Sequence, residues 1–148
     1  MKQILLIVNP QESFINLNDN TINTLPNIIK LVKSFNNTDQ IYVYTENDKK
    51  DPINPYLQTV LNTKNTEHYK EYNLLTLATD IDYYANKSDE INIIGYFTDQ
   101  NVLSAALILK QQLPKNKIVV HEFCCNTRNK STQLAALMLL HNNGIKIS

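Results

Sequence analysis

The sequence predicts a three-layer α/β/α domain with a doubly wound, mostly parallel sheet of five to six strands, Rossmann-like in class. Three observations carry this. Short apolar runs rich in branched residues recur along the chain, too continuous in hydrophobicity for strands with one wet face. Segments with apolar residues at three- and four-residue spacing separate them. The alternation runs through all 148 residues without an internal repeat or a second core, so residues 1–148 read as a single domain.

The first run, residues 3–8 (QILLIV), ends at Asn9-Pro10 and reads as a strand buried on both faces. Ile22, Leu25, Ile28, Ile29, Val32 and Phe35 follow at helical spacing over residues 20–35. Pro26 falls inside that pattern, and proline suits a first helical turn, so regular helix is expected to begin near it. Residues 40–45 (QIYVYT) read as a second strand. From Glu46 to about Lys70 the chain is polar, with Pro52 and Pro55, and reads as a long loop holding a short helix around residues 56–61. Loops of that length in a compact domain often belong to a site. Leu74, Leu77, Ala78, Ile81 and Tyr84 or Ala85 mark a helix over 74–85. Residues 91–95 form a third strand closed by Gly95, one of two glycines. A helix over 99–113 ends at Pro114, a fourth strand spans 117–123, and a helix over 128–142 has Gly144 placed as its C′ residue. Residues 145–147 make a last short strand. Such sheets hold ligands beyond the carboxyl ends of their strands, where strand order reverses. That directs attention to residues 9–14, 45–51, 95–102 and 122–128.

Composition narrows the function. Lys plus Arg and Asp plus Glu are both 14, a formal net charge of zero, and there is no dense basic run. Neither nucleic acid nor an anionic membrane is an expected partner. No run approaches the roughly 20 apolar residues a membrane span needs, and the opening segment lacks the apolar length of a signal peptide. The two cysteines, Cys124 and Cys125, are adjacent, a poor geometry for a structural disulfide, which favours a reducing, cytoplasmic compartment. The histidines are scattered and no Cys/His spacing suggests zinc, so no metal or cofactor is expected. With two glycines the chain has no Gly-rich phosphate cradle, and the dinucleotide, P-loop and nucleophile-elbow motifs are all missing.

What remains is distinctive in combination. After the first strand stands Asn9-Pro10-Gln11-Glu12-Ser13-Phe14; after the third, Gly95-Tyr96-Phe97-Thr98-Asp99-Gln100-Asn101-Val102 at the start of a helix; after the fourth, Glu122-Phe123-Cys124-Cys125. Together, in this order and over nearly the whole chain, these segments resemble the isochorismatase-like (cysteine hydrolase) family. The resemblance implies the fold already read from the alternation and a triad of Asp, Lys and Cys, in which a thiolate attacks an amide or ester carbonyl. Carried onto this chain, the Asp position is Asn9, the Cys position is Asn101 and the Lys position is Lys70. It further implies that Gln11, Phe14, Tyr96, Phe97, Thr98 and Gln100 line the substrate site, and that the Tyr96–Phe97 peptide is cis. Nicotinamidases of the family hold a metal through Asp-x-His after the second strand. Here that place reads Thr45-Glu46-Asn47-Asp48, with no histidine before His68, so neither that metal nor nicotinamidase activity is expected.

Two of the three triad positions are changed. A carboxamide is neither a nucleophile nor a base near neutral pH. Groups that act as a unit fail together, so thiol-based hydrolysis is expected to be absent. The reading is a hydrolase-like protein that keeps a site for a small carbonyl or carboxylate compound, as a homodimer or larger homo-oligomer. An active amide or ester hydrolase with relocated groups (Lys70, Asp99, Cys124) and an unrelated flavodoxin-like binding domain are the alternatives. Each piece also has a plainer reading: Asn9 as a turn residue before Pro10, Thr98 and Asp99 as helix caps, Lys70 as a solvated lysine, and the cysteines as packing.

Overall fold

The structure, a computed structural model, describes residues 2–16 and 23–148. Among these, six strands form one all-parallel sheet: β1 (Lys2–Val8), β2 (Gln40–Tyr44), β3 (Thr66–Tyr69), β4 (Ser88–Tyr96), β5 (Lys117–Asn126) and β6 (Lys146–Ile147). Their order is β3-β2-β1-β4-β5-β6, so the chain winds outward from β1 in one direction and, after β3, from β4 in the other. Helices α2 (Thr24–Ser34) and α3 (Pro55–Leu61) cover one face; α4 (Leu77–Ala85), α5 (Leu103–Gln112) and α6 (Lys130–Asn142) cover the other. A short helix, α1 (Glu12–Asn16), follows β1 directly.

The pattern of burial explains the arrangement. Ile4 through Val8 are fully buried, and because successive strand residues face opposite ways, β1 must be covered on both sides. Each such side chain contributes roughly 1.5–3 kcal/mol relative to exposure. Helix α2 buries Thr24, Ile28 and Val32 four residues apart, and α4 buries Leu77, Ile81 and Ala85 in the same way. Asn54 Oδ1 accepts from the backbone of Tyr56 and Leu57 with Pro55 at the first helical position, which fixes the start of α3. Asn129 caps α6 through Ser131 N at 2.8 Å, and Gly144, at φ 79°, ends it.

The long polar loop is a correction. The helix expected around 56–61 is present as Pro55–Leu61, but Thr66–Tyr69 is a sixth strand, pairing in parallel with β2. It is an edge strand of four residues, TEHY, with few apolar side chains to mark it. Strands β4 and β5 also run longer than their apolar runs. β5 carries an irregularity against β4, where Ile93 pairs with Val120 but Gly95 pairs with Cys125, and it resumes through Cys124, Cys125 and Asn126. The helix expected over 99–113 is a π-helical turn, Thr98–Val102, running into α5. Of the helix expected over 20–35, residues 20–22 lie outside the described residues; the remainder is α2, with Pro26 in its first turn. The strand order differs from that of flavodoxin-like domains, which excludes that alternative.

Candidate binding site at the switch point of the sheet

Strand order reverses between β1 and β4, so a crevice is expected beyond Val8 and Tyr96. The two strand ends meet there unusually closely. Val8 pairs with Gly95, whose φ is 123°, and a Cβ on Gly95 would lie 2.1 Å from the Val8 carbonyl oxygen, so only glycine fits. The next residue on each side leaves the strand abruptly. Asn9 takes φ 51°, a left-handed conformation that asparagine tolerates, and donates its backbone N–H to Tyr44 O at 2.8 Å. On the other side the Tyr96–Phe97 peptide is cis, as the resemblance implies, and Thr98–Val102 follows as the π-helical turn.

These turns bring Asn9 and Asn101 together across 92 positions of sequence. Asn101 Nδ2 donates to Asn9 Oδ1 at 2.8 Å and to Glu46 Oε1 at 3.0 Å. Asn9 is fully buried and passes the network on, Nδ2 donating to Gln11 Oε1 at 3.2 Å. Gln11, also fully buried, accepts from Glu46 N and donates to Glu46 O and Asp51 O, both at 2.6 Å, so its full hydrogen-bonding capacity is used within the protein. It thereby ties the end of β1 to the loop after β2. Both N–H bonds of the Asn101 amide are occupied, and Asn101 Oδ1 has no partner among the described residues. Glu46 is exposed, so the pair meets solvent on its side. Behind it, Tyr72 donates to Asn101 O at 3.0 Å and lies 3.0 Å from Ser104 Oγ; burial pushes its hydroxyl up to about 12.

The remaining expected site residues divide. The Phe14 and Phe97 rings pack with centroids 5.3 Å apart, and the Arg128 guanidinium lies 5.2 Å from the Phe97 ring. Thr98 is fully buried, and its hydroxyl has no hydrogen-bond partner among the described residues. Gln100 is exposed, and its backbone N–H donates to Phe97 O. Tyr96 lies in the core, where burial and the nearby thiols raise its pKa. Lys70 is largely exposed and pairs with Asp48 at 3.7 Å beside a polar cleft of about 360 Å³. Asp99 accepts from Thr127 Oγ1 at 2.5 Å. Cys124 lines a separate cleft with His121, Lys30 and Phe123, and burial pushes its thiol up to about 11. Among the described residues no group of three or more His, Cys, Asp or Glu side chains could hold a metal ion, and no helix is long and apolar enough to cross a membrane.

Two contributors escaped the sequence. Glu46 falls in the 45–51 segment that the strand ends single out, but beyond that it enters only in a failed metal motif, with no sign of its contact with Asn101. Tyr72 lies in a polar stretch, and nothing local marks it.

No family model and no curated protein matches the chain by sequence. Solved structures do match. The nicotinamidase of Staphylococcus aureus superposes with a TM-score of 0.83 at 17% identity, over 99% of this chain and 98% of that one. The YcaC gene product of Escherichia coli, an octameric hydrolase of unknown specificity, gives 0.77 at 18% identity over 99% and 74%. The MAR1 ribonuclease of Caenorhabditis elegans gives 0.76 at 16% over 99% and 76%. The chain therefore has the isochorismatase-like α/β fold.

Proposed function

We propose that this chain is an isochorismatase-like family member without thiol-based hydrolase chemistry, and that it binds a small carbonyl or carboxylate compound at the carboxyl ends of β1 and β4. One observation carries the reading: Asn101 donates to Asn9 at 2.8 Å, so the residues matching the family's nucleophile and acid–base positions share one site as two carboxamides. A carboxamide pair binds, orients and discriminates, but it neither attacks a carbonyl nor takes a proton from water near neutral pH. In this reading Phe14, Phe97, Thr98 and Gln100 line the site and Gln11 holds its shape; Lys70, the triad-equivalent lysine, pairs with Asp48 in a separate polar cleft. Relocated chemistry has little support: the Cys124 thiol is buried and held as the neutral acid, and Asp99 is held by Thr127. Free buried cysteines agree with a cytoplasmic setting, and an octamer among the structural neighbours supports a homo-oligomer.

Nicotinamide is a suitable test amide because one structural neighbour is a nicotinamidase. Ammonia release from nicotinamide by the purified protein should not exceed the rate without protein. Release that is well above that rate and disappears in Asn101→Ala would overturn the proposal.

A further inference from the structure

Strand β5 departs from its neighbour at one place. Ile93 of β4 pairs with Val120 and Gly95 with Cys125, so four residues of β5, His121–Cys124, stand where β4 has Ile94 alone. Bulges re-aim side chains and recur beside binding sites. This one forms a wall of a cleft of about 600 Å³, lined by His121, Phe123 and Cys124 from β5 and by Lys30 and Leu31 from α2. The bulge is anchored on several sides. Asn27 of α2 donates to Phe123 O at 3.0 Å, Glu122 N donates to Ser148 O at 3.0 Å, and His121 Nε2 lies 2.7 Å from Asn92 Oδ1. The cleft therefore has its shape before any ligand arrives, which lowers the ordering cost of binding.

The lining has a definite chemistry. Phe123 is 71% exposed, an aromatic face left open on a backbone that is fixed. Leu31 and the buried Cys124 add apolar surface. Lys30 is exposed and makes no ion pair among the described residues, and no acidic side chain among them lines the cleft. Its field thus favours an anion. A mainly apolar hollow of this volume with a few polar groups is the usual make-up of a small-molecule site. It shares no lining residue with the asparagine crevice, which lies at the ends of β1 and β4.

We infer that the cleft between α2 and the β5 bulge is a second ligand site, separate from the asparagine crevice, and that it takes a planar aromatic acid. The ring lies on Phe123 and against Leu31, and the acidic group meets Lys30.

The probes are 2-naphthoate, its neutral amide 2-naphthamide, and decahydro-2-naphthoate, which keeps the charge and loses the flat ring. Calorimetric titration of the full chain should show 2-naphthoate binding about threefold or more tightly than the amide, the effect of one exposed charge contact. It should also bind about threefold or more tightly than the saturated acid, the effect of one aromatic contact. Lys30→Gln should erase the first preference, Phe123→Ser should erase the second, and Asn101→Ala should change neither. Circular dichroism should be unchanged by the Lys30 and Phe123 substitutions, since both side chains are exposed. A Phe123→Ser protein that keeps both preferences overturns the proposal. So does loss of binding in Asn101→Ala, which would place the probe in the crevice and leave that reading standing. Failure of every probe to bind overturns it as well, and light scattering that then shows Phe123→Ser turning a dimer into a monomer would assign the cleft to a second copy of the chain.

Discussion

Asn101 and Asn9 are where this chain departs most sharply from a thiol hydrolase. Both are held by hydrogen bonds: Asn9 through its backbone to Tyr44, its amide to Gln11 and its carbonyl oxygen to Asn101; Asn101 through both N–H bonds. The position still meets solvent at Glu46, whereas the native thiols are mostly buried: Cys124 is raised to about 11 by burial, and Cys125 is buried more completely and raised further. Thiolate is the reactive form, so a thiol introduced by Asn101→Cys should be alkylated by iodoacetamide about tenfold or more faster than either native cysteine at pH 7.5. Peptide mapping by mass spectrometry reads this directly. Preferential labelling of Cys124 or Cys125 would mean that the 101 position is closed to solvent.

The element that sets the site is the junction of β1 and β4. Gly95 sits where the two strands approach most closely, and an added Cβ would meet Val8 backbone rather than a side chain able to move aside. Gly95→Ala should therefore cost roughly 3 kcal/mol or more, combining a steric clash with a disfavoured φ. For a domain of this size that lowers the melting temperature by roughly 6–12 °C. The same substitution displaces Asn9, one residue beyond Val8, so ligand binding should weaken in whatever fraction stays folded. Gly144, also at positive φ, is the control: a Cβ there would meet only the flexible end of Lys110 at 3.4 Å, leaving backbone strain as the main cost of Gly144→Ala. A Gly95→Ala melting point within a degree or two of that of Gly144→Ala would contradict the close approach.

Across the whole molecule, the buried polar interior sets a pH dependence. Asn92 donates to Ile4 O at 3.2 Å, which leaves its carbonyl oxygen to accept from His121 Nε2–H at 2.7 Å in the sheet interior. Burial lowers the His121 pKa from 6.5, helped by Lys146 and opposed by Glu90. Above about pH 6.5 the ring is neutral folded or unfolded, and the shift has no effect on stability. As the pH falls below that, the unfolded chain takes up a proton that the folded one resists, so stability drops until the pH passes below the folded-state value. The melting temperature should therefore fall between pH 7 and pH 5 by more in the native protein than in His121→Gln, and the difference between their slopes should vanish above pH 7. Parallel slopes throughout would mean that His121 charges freely in the folded state.

The layered α/β architecture was legible because it is written in local patterns: QILLIV and IVV can only be buried strands, and the four-residue spacing in α2 and α4 can only be helix faces. The asparagine positions were legible for a different reason, since short segments at strand ends carry type and order together. Three things were not legible. Strand β3, TEHY, is held by pairing with β2 and not by its own side chains, and edge strands need little apolar character. The irregularity that carries β5 on to Asn126 depends on its neighbour, not on its own sequence. The contacts of Asn101 with Glu46, of Tyr72 with Asn101 and of Arg128 with Phe97 join residues about 30 to 55 positions apart, placed together by the reversal of strand order. Sequence determined which residues could be buried and which could not act as nucleophile or base. Tertiary structure alone decided which charges meet at the crevice, because hydrophobic patterning specifies a face and a depth, while the identity of a distant neighbour follows from topology and register.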